Sequence, residues 1–217
     1  NIPMGVETGI QLGGALNVSS GYMRGIQLAA ANYADSLNGS QIGLINVALA
    51  HPRGWQVGIV NVTRDTLAHK IGLVNINAKT TIDYMFSVGS STKFNAAVRY
   101  RNRSTYNILG AGTHYMGLDR DFSGAIYYRI GQYFHLTPRL TLSGDVGFYH
   151  IETFQHKADK PERLYSIQAR INADYQLDKY LGAFVSVGYG DTRYYSHNRH
   201  YRNRPLIEAG LTIRHQR

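Results

Sequence analysis

The sequence has no cysteine, which excludes disulfides and thiolate metal sites alike. It is also poor in charge: 17% of its 217 residues are Asp, Glu, Lys or Arg. No stretch approaches the roughly 18 to 20 continuous apolar residues of a spanning helix. That excludes a helical membrane span but not one built from strands, whose polar and apolar residues average out. Walker-type and dinucleotide-binding glycine motifs are absent, and so is a Gly-x-Ser-x-Gly elbow. The first residues carry neither a basic n-region nor an apolar h-region, so an exported form would be numbered from its mature end or from within a trimmed form.

What the chain does have is 23 glycines, 17 tyrosines and a formal net charge of +9, from 23 basic and 14 acidic residues. A basic chain often binds nucleic acid. Here the cations gather in three loop-like places, 99–103, 156–163 and 197–204, which is not the pattern of a nucleic-acid-binding helix. No nucleic-acid partner is expected.

The segment from Gly25 to Asn77 repeats itself. It contains Gly25-Ile-Gln-Leu-Ala-Ala-Ala-Asn32, Ser40-Gln-Ile-Gly-Leu-Ile-Asn46, Trp55-Gln-Val-Gly-Ile-Val-Asn61 and His69-Lys-Ile-Gly-Leu-Val-Asn75. The asparagines fall 14, 15 and 14 residues apart, and a looser copy, Gly9 to Asn17, lies upstream. Each unit reads as one strand and one turn. Two arrangements fit: five successive staves of a barrel, or a parallel solenoid with Asn32, Asn46, Asn61 and Asn75 as a side-chain ladder. The strand-length units and their direct continuation into further strands favour staves. Alternation counted through a repeat leaves both faces apolar. Ile45, Val47, Val60, Val62, Val74 and Ile76 are therefore candidates for a greasy lumen wall or a packed protein neighbour.

Beyond residue 78 the alternation is plainer. Between Tyr165 and Leu177, Tyr165, Ile167, Ala169, Ile171, Ala173 and Tyr175 share one face, and Gln168, Arg170, Asn172 and Asp174 the other. In a soluble sandwich the polar faces would carry many Lys and Glu. These carry Ser, Asn, Gln, Thr and isolated Arg or Asp, as a barrel lumen does. Tyrosines near strand ends (Tyr100, Tyr106, Tyr115, Tyr127, Tyr128, Tyr133, Tyr149, Tyr165, Tyr180, Tyr189, Tyr194 and Tyr195) suit an aromatic girdle. Thr137-Pro-Arg139 and Asp178-Lys179 are tight connections, whereas 155–163 and 191–204 are long and basic. In an outer-membrane barrel the tight turns face the periplasm.

The Gln-Ile-Gly-Leu-Ile-Asn and Lys-Ile-Gly-Leu-Val-Asn units, with the β-rich remainder, resemble the surface-repeat outer-membrane proteins of Gram-negative bacteria, which carry Gly-Val-Gln-Ile-Gly-Leu-Val-Asn-type units. The first copy departs by a Gly-Gly insertion, and the second has Ala29 and Ala30 where later copies have Gly and Leu. The resemblance implies an outer-membrane location and brings no catalytic residues with it.

The expectation is one all-β domain over 1–217: an antiparallel transmembrane barrel of about 12–14 strands under the usual even parity. Residues 1–8 are a lead-in, 9–78 are five repeat strands and 79–217 are non-repeat strands. Its expected role is passive, as a small porin-like pore or a structural or surface-interaction component of the envelope. The alternatives are a lipid-modifying enzyme or a subunit of an assembly complex. Asp83, Arg99, Arg101, Arg129, Asp145, Arg170, Asp174 and Glu208 form the candidate lumen charge network, either a selectivity path or a paired filling. Lys157, Lys160, Arg163, Arg199, Arg202 and Arg204 are candidates for lipopolysaccharide phosphates. Outer-membrane lipid is thus an expected partner, with other envelope proteins a further one. For catalysis, His114, His150 and Glu152 are present, but no spacing singles out a nucleophile. His197-x-x-His200 lies outside any helix and lacks an adjacent carboxylate, so neither a metal nor a cofactor is expected.

Overall fold

A computed structural model describes residues 5–64, 68–102, 105–115, 123–154, 163–196 and 199–215. The chain divides into two compact units, Asn1–Thr80 and Thr81–Arg217.

The first unit holds β1 (Val6–Leu12), β2 (Leu16–Leu28), β3 (Ala31–Ile42), β4 (Ile45–Val57), β5 (Val60–Thr63), β6 (His69–Ile71) and β7 (Val74–Ile76). Every pairing among them is parallel. Equivalent residues of successive repeats lie side by side, as in Asn32 beside Asn46 and Gln41 beside Gln56. Each repeat is therefore one coil of a solenoid, stacked on the last. Register shifts between Ser19 and Tyr22, and between Ser36 and Asn38, mark a corner in the coil. Gly25, Gly39 and Gly54 occupy one stacked position at φ 140°, 154° and 124°. A Cβ on Gly39 would lie 1.9 Å from the Gly25 carbonyl oxygen, so glycine is required by both backbone and space.

Inside the coils run two amide ladders. Asn17, Asn32, Asn46 and Asn61 each donate from Nδ2 to the Oδ1 of the next asparagine, at 2.8–3.1 Å. Gln27, Gln41 and Gln56 each donate from Nε2 to the Oε1 of the previous glutamine, at 2.7 Å. The two ladders thus point in opposite directions. The glutamines also reach across the coil to the carbonyls of Tyr33, Val47 and Val62. At the donor end of the glutamine ladder, Gln11 meets Glu7 at 2.5 Å. At the acceptor end, Lys70 occupies the next rung and donates to the Ile76 carbonyl at 3.2 Å. Met23, Leu37, Ala34 and Ala48 fill the remaining interior.

The second unit is a closed antiparallel barrel of β8 (Thr81–Gly89), β9 (Thr92–Arg101), β10 (Thr105–Tyr115), β11 (Ser123–His135), β12 (Leu140–Thr153), β13 (Arg163–Gln176), β14 (Leu181–Tyr194) and β15 (His200–His215). The all-β antiparallel barrel stands, with eight strands in place of 12–14. The repeats are not its first five staves. They stack in parallel on one another, so the single barrel domain over 1–217 gives way to two units.

Tight turns join β11 to β12 and β13 to β14. Thr137 Oγ1 accepts from the Leu140 amide at 2.9 Å. Asp178 Oδ1 accepts from the amides of Leu181 at 2.7 Å and Tyr180 at 2.6 Å. Those two amides hold the Asp178 carboxyl below its usual range. The turn is therefore secured above the ordinary carboxylate pKa and loosens only as pH falls through the lowered value.

Candidate functional site

Strand parity decides which side chains meet in the barrel. On β13, Ile171 is 64% exposed while Arg170 beside it is 4% exposed. The same inversion recurs around the sheet: Phe86, Phe94, Ile126, Val146 and Val187 face outward, and Asp83, Asn95, Arg129, Asp145 and Ser186 face in. An apolar outer wall around a polar interior is the build of an outer-membrane-type transmembrane barrel, inside out relative to a soluble protein.

All eight predicted lumen charges lie in this interior, in three tiers. At the end carrying the tight turns, Arg99 donates to Asp83 from Nη2 at 2.9 Å and from Nε at 3.1 Å, and reaches Asp174 at 2.7 Å. Arg101 also meets Asp83, at 3.1 Å. Arg214, not foreseen from the sequence, adds a contact to Asp83 at 3.3 Å. In the middle, Arg129 grips Asp145 with two bonds of 2.8 and 2.6 Å and donates to Asn172 at 3.0 Å. Asp145 accepts further bonds from Tyr106 at 2.7 Å and Asn172 at 2.8 Å. Toward the other end, Glu208 pairs with Arg170 and accepts from Ser87 at 2.5 Å. Arg170 then donates to Gln168 at 2.6 Å, and Gln168 to Ser91 at 2.9 Å.

Aromatic and aliphatic side chains fill the spaces between the tiers. Tyr127 stacks on Tyr149 at 4.6 Å between centroids, and Ile108, Ile151, Leu164 and Phe184 complete the cluster. Arg170 lies 5.5 Å from the Tyr149 ring centroid, and Arg101 5.3 Å from that of Tyr133. This corrects the expected girdle: Tyr106, Tyr127, Tyr133 and Tyr149 are buried in the lumen, whereas Tyr180, Tyr189 and Tyr195 are exposed. Tyr127 has the parity of Arg129, a signal that was available in the sequence.

The expected lipopolysaccharide contacts divide. Lys157 and Lys160 lie outside the described residues. Arg163 is exposed at the strand end and pairs with Glu152 at 2.9 Å, and Arg199 is exposed. Arg202 and Arg204, with Gln168 and Thr192, line a small depression at the barrel mouth. His150 lies 3.2 Å from both Glu152 and the Tyr195 hydroxyl, and His200 lies 3.0 Å from Asp191. The side chain of His114 and all of His197 are outside the described residues. A groove of about 640 Å³ on the outer wall has Ala96, Ala111 and Gly112 as its floor, between Phe86, Phe94 and Leu211. It belongs to the lipid-facing surface.

No protein-family model matches the chain, and no curated protein does. Among solved structures, a de novo designed transmembrane β-barrel is 15% identical, with a TM-score of 0.43 over 62% of this chain and 95% of that one. The N-terminal β-barrel domain of Pseudomonas aeruginosa OprF is 8% identical, with a TM-score of 0.43 over 63% of this chain and 96% of its own. Neisserial surface protein A is 11% identical, with a TM-score of 0.39 over 62% of this chain and 94% of its own. The strand count and the inverted polarity described above rest on the pairings and burial of this chain alone.

Proposed function

We propose that this outer-membrane barrel is a closed anchor, a structural component of the envelope that carries the solenoid, and not a pore. The observation that carries this reading is the filling of the lumen. Arg99 spans from Asp83 on β8 to Asp174 on β13, and Arg129 joins β11 to β12 and β13. Eight strands enclose an interior just wide enough for side chains to fill. Five guanidiniums (Arg99, Arg101, Arg129, Arg170, Arg214) face four carboxylates (Asp83, Asp145, Asp174, Glu208), which leaves little net field to select a permeating ion.

The turns after β9, β11 and β13 share one end with Thr81, where the chain enters from the solenoid, while the longer connections after β10, β12 and β14 lie at the other end, together with the two-residue turn after β8. With tight turns facing the periplasm, residues 1–80 are delivered there and not to the cell surface. The purified protein in planar bilayers tests the anchor reading. We expect a silent bilayer, and an unchanged lipid A mass profile in cells that express it. Stepwise currents would return the barrel to a pore, and an altered lipid profile to an enzyme.

A further inference from the structure

The charge surplus of the lumen lies at one end. In the other two tiers guanidinium and carboxylate match one to one, Arg129 with Asp145 and Arg170 with Glu208. In the tier at the tight turns, Arg99, Arg101 and Arg214 share two carboxylates, Asp83 and Asp174. Three guanidiniums carry roughly 15 N–H donors, against about eight acceptor sites on two carboxylates. Arg99 takes the best of those sites, with three bonds of 2.7 to 3.1 Å. Arg101 is left with ionic contacts of 3.1 Å to Asp83 and 3.9 Å to Asp174, although its side chain is only 11% exposed. Arg214 makes one hydrogen bond among the described residues, from Nε to Asp83 at 3.3 Å. A nearly buried cation without full pairing is costly. The tier is short of negative charge.

Beside these arginines the barrel leaves a space. A cavity of about 80 Å³ is lined by Arg99, Arg101, Arg214 and His135, and by Arg139 from the turn between β11 and β12. Around the closed barrel that turn lies across from β8, whose two neighbours are β9 and β15. Cations therefore reach the cavity from opposite walls: Arg101 and Arg214 from either side of β8, and Arg139 from the facing turn. The Arg139 carbonyl accepts from the Gln176 amide at 2.8 Å, which ties the turn to β13. With Arg139 included, four guanidiniums face two carboxylates at this end among the described residues, a surplus of two positive charges. A phosphate group brings close to two negative charges and three strong acceptor oxygens. A carboxylate offers two oxygens in one plane, which a single guanidinium fork occupies. Donors on opposite walls suit the phosphate.

We propose that this mouth of the barrel binds a phosphate group, held between Arg101 and Arg214 on one wall and Arg139 on the other. Its source is a free phosphate ion or the headgroup of a lipid, which present the same chemistry to the site. The proposal stands on the barrel unit alone and holds whether or not the barrel conducts. Full-length protein in a non-ionic detergent is titrated with inorganic phosphate by calorimetry, against sodium chloride at matched ionic strength. We expect saturable binding of one phosphate per chain. Arg139→Gln, at an exposed turn position outside the three tiers, should weaken it about tenfold or more, the size of one charge-assisted hydrogen bond. Arg101→Gln should abolish it in protein that keeps its heat-modifiable migration. Arg193→Gln, near the end of β14 away from this mouth, removes the same charge and should bind as the parent does. Competition by short-chain phosphatidic acid would assign the site to a lipid headgroup, and binding without such competition to the free ion; both results support the site. Heats no different from those of chloride would overturn the proposal. So would equal losses in Arg139→Gln and Arg193→Gln, because the surplus would then act only as a diffuse field. Acetate binding as tightly as phosphate would overturn it too, with a carboxylate as the ligand instead.

Discussion

At the scale of single residues, the lumen is held by pairs in which neither partner can be left alone. Arg129 and Asp145 are 2% and 6% exposed and share two hydrogen bonds. Replacing Arg129 with Met leaves Asp145 charged and buried, with Tyr106 and Asn172 as its remaining donors. Breaking one side of such a pair costs about 3–5 kcal/mol, whereas replacing both sides with apolar groups often costs far less. Arg129→Met should therefore lower the urea midpoint of the folded barrel in detergent markedly, and Arg129→Met/Asp145→Leu should recover much of the loss. Equal losses in the two variants would mean that the pair is not what holds the middle tier. These charges were legible in the sequence because period-two alternation assigns every residue of a strand to a side. Their neutral partners were not. Tyr106, Asn172, Ser87 and Gln168 share the inward parity, but nothing about a neutral polar side chain demands burial. At the ladder end, Gln56 Oε1 is buried without a hydrogen-bond partner among the described residues, and Lys70 stands on the next rung. A carboxylate at the donor end and a cation at the acceptor end match the direction of the glutamine ladder.

At the scale of elements, the repeats show how a correct pattern can support the wrong arrangement. Units of 14 to 15 residues serve equally well as a stave with its turn or as a coil. The deciding feature is a slip of phase. The chain turns at Gly43 and Leu44, so Gln41 and Asn46, an odd number of residues apart, both point inward. Alternation counted straight through that turn places Asn46 with Ile42 and Leu44, and both faces then look apolar. Once the slip is included, the inward set is Gln and Asn and the outward set aliphatic. Val47, Val60, Val62, Val74 and Ile76, like Ile45, sit outside the coil at intermediate or greater exposure, not on a lumen wall. The stacked glycines test the coil directly. In Gly39→Ala the new Cβ meets the Gly25 carbonyl at 1.9 Å, and the backbone conformation alone costs about 1–3 kcal/mol. We expect residues 1–80 of this variant to become protease-sensitive while the barrel keeps its heat-modifiable migration. Gly14→Ala, whose Cβ meets nothing within 4 Å, should digest like the parent. Staves would respond differently, since a broken stave would take the barrel with it.

At the scale of the whole molecule, the two units share an aliphatic exterior and differ in what fills the inside. The barrel turns aliphatics out to lipid and pairs charges within. The solenoid also turns aliphatics out, but fills its interior with neutral amides that need no counter-charge. Which compartment receives that aliphatic surface depends on the polarity of the barrel, and the absence of cysteine makes the polarity measurable. Thr8→Cys places a lone thiol at an exposed position in the first coil, and Arg199→Cys places one at an exposed position between β14 and β15, at the barrel end opposite Thr81. A membrane-impermeant maleimide added to intact cells should label Arg199→Cys alone, and Thr8→Cys only after the outer membrane is permeabilised. Labelling of Thr8→Cys on intact cells would put the repeats on the cell surface, as the resemblance to surface-repeat proteins implies.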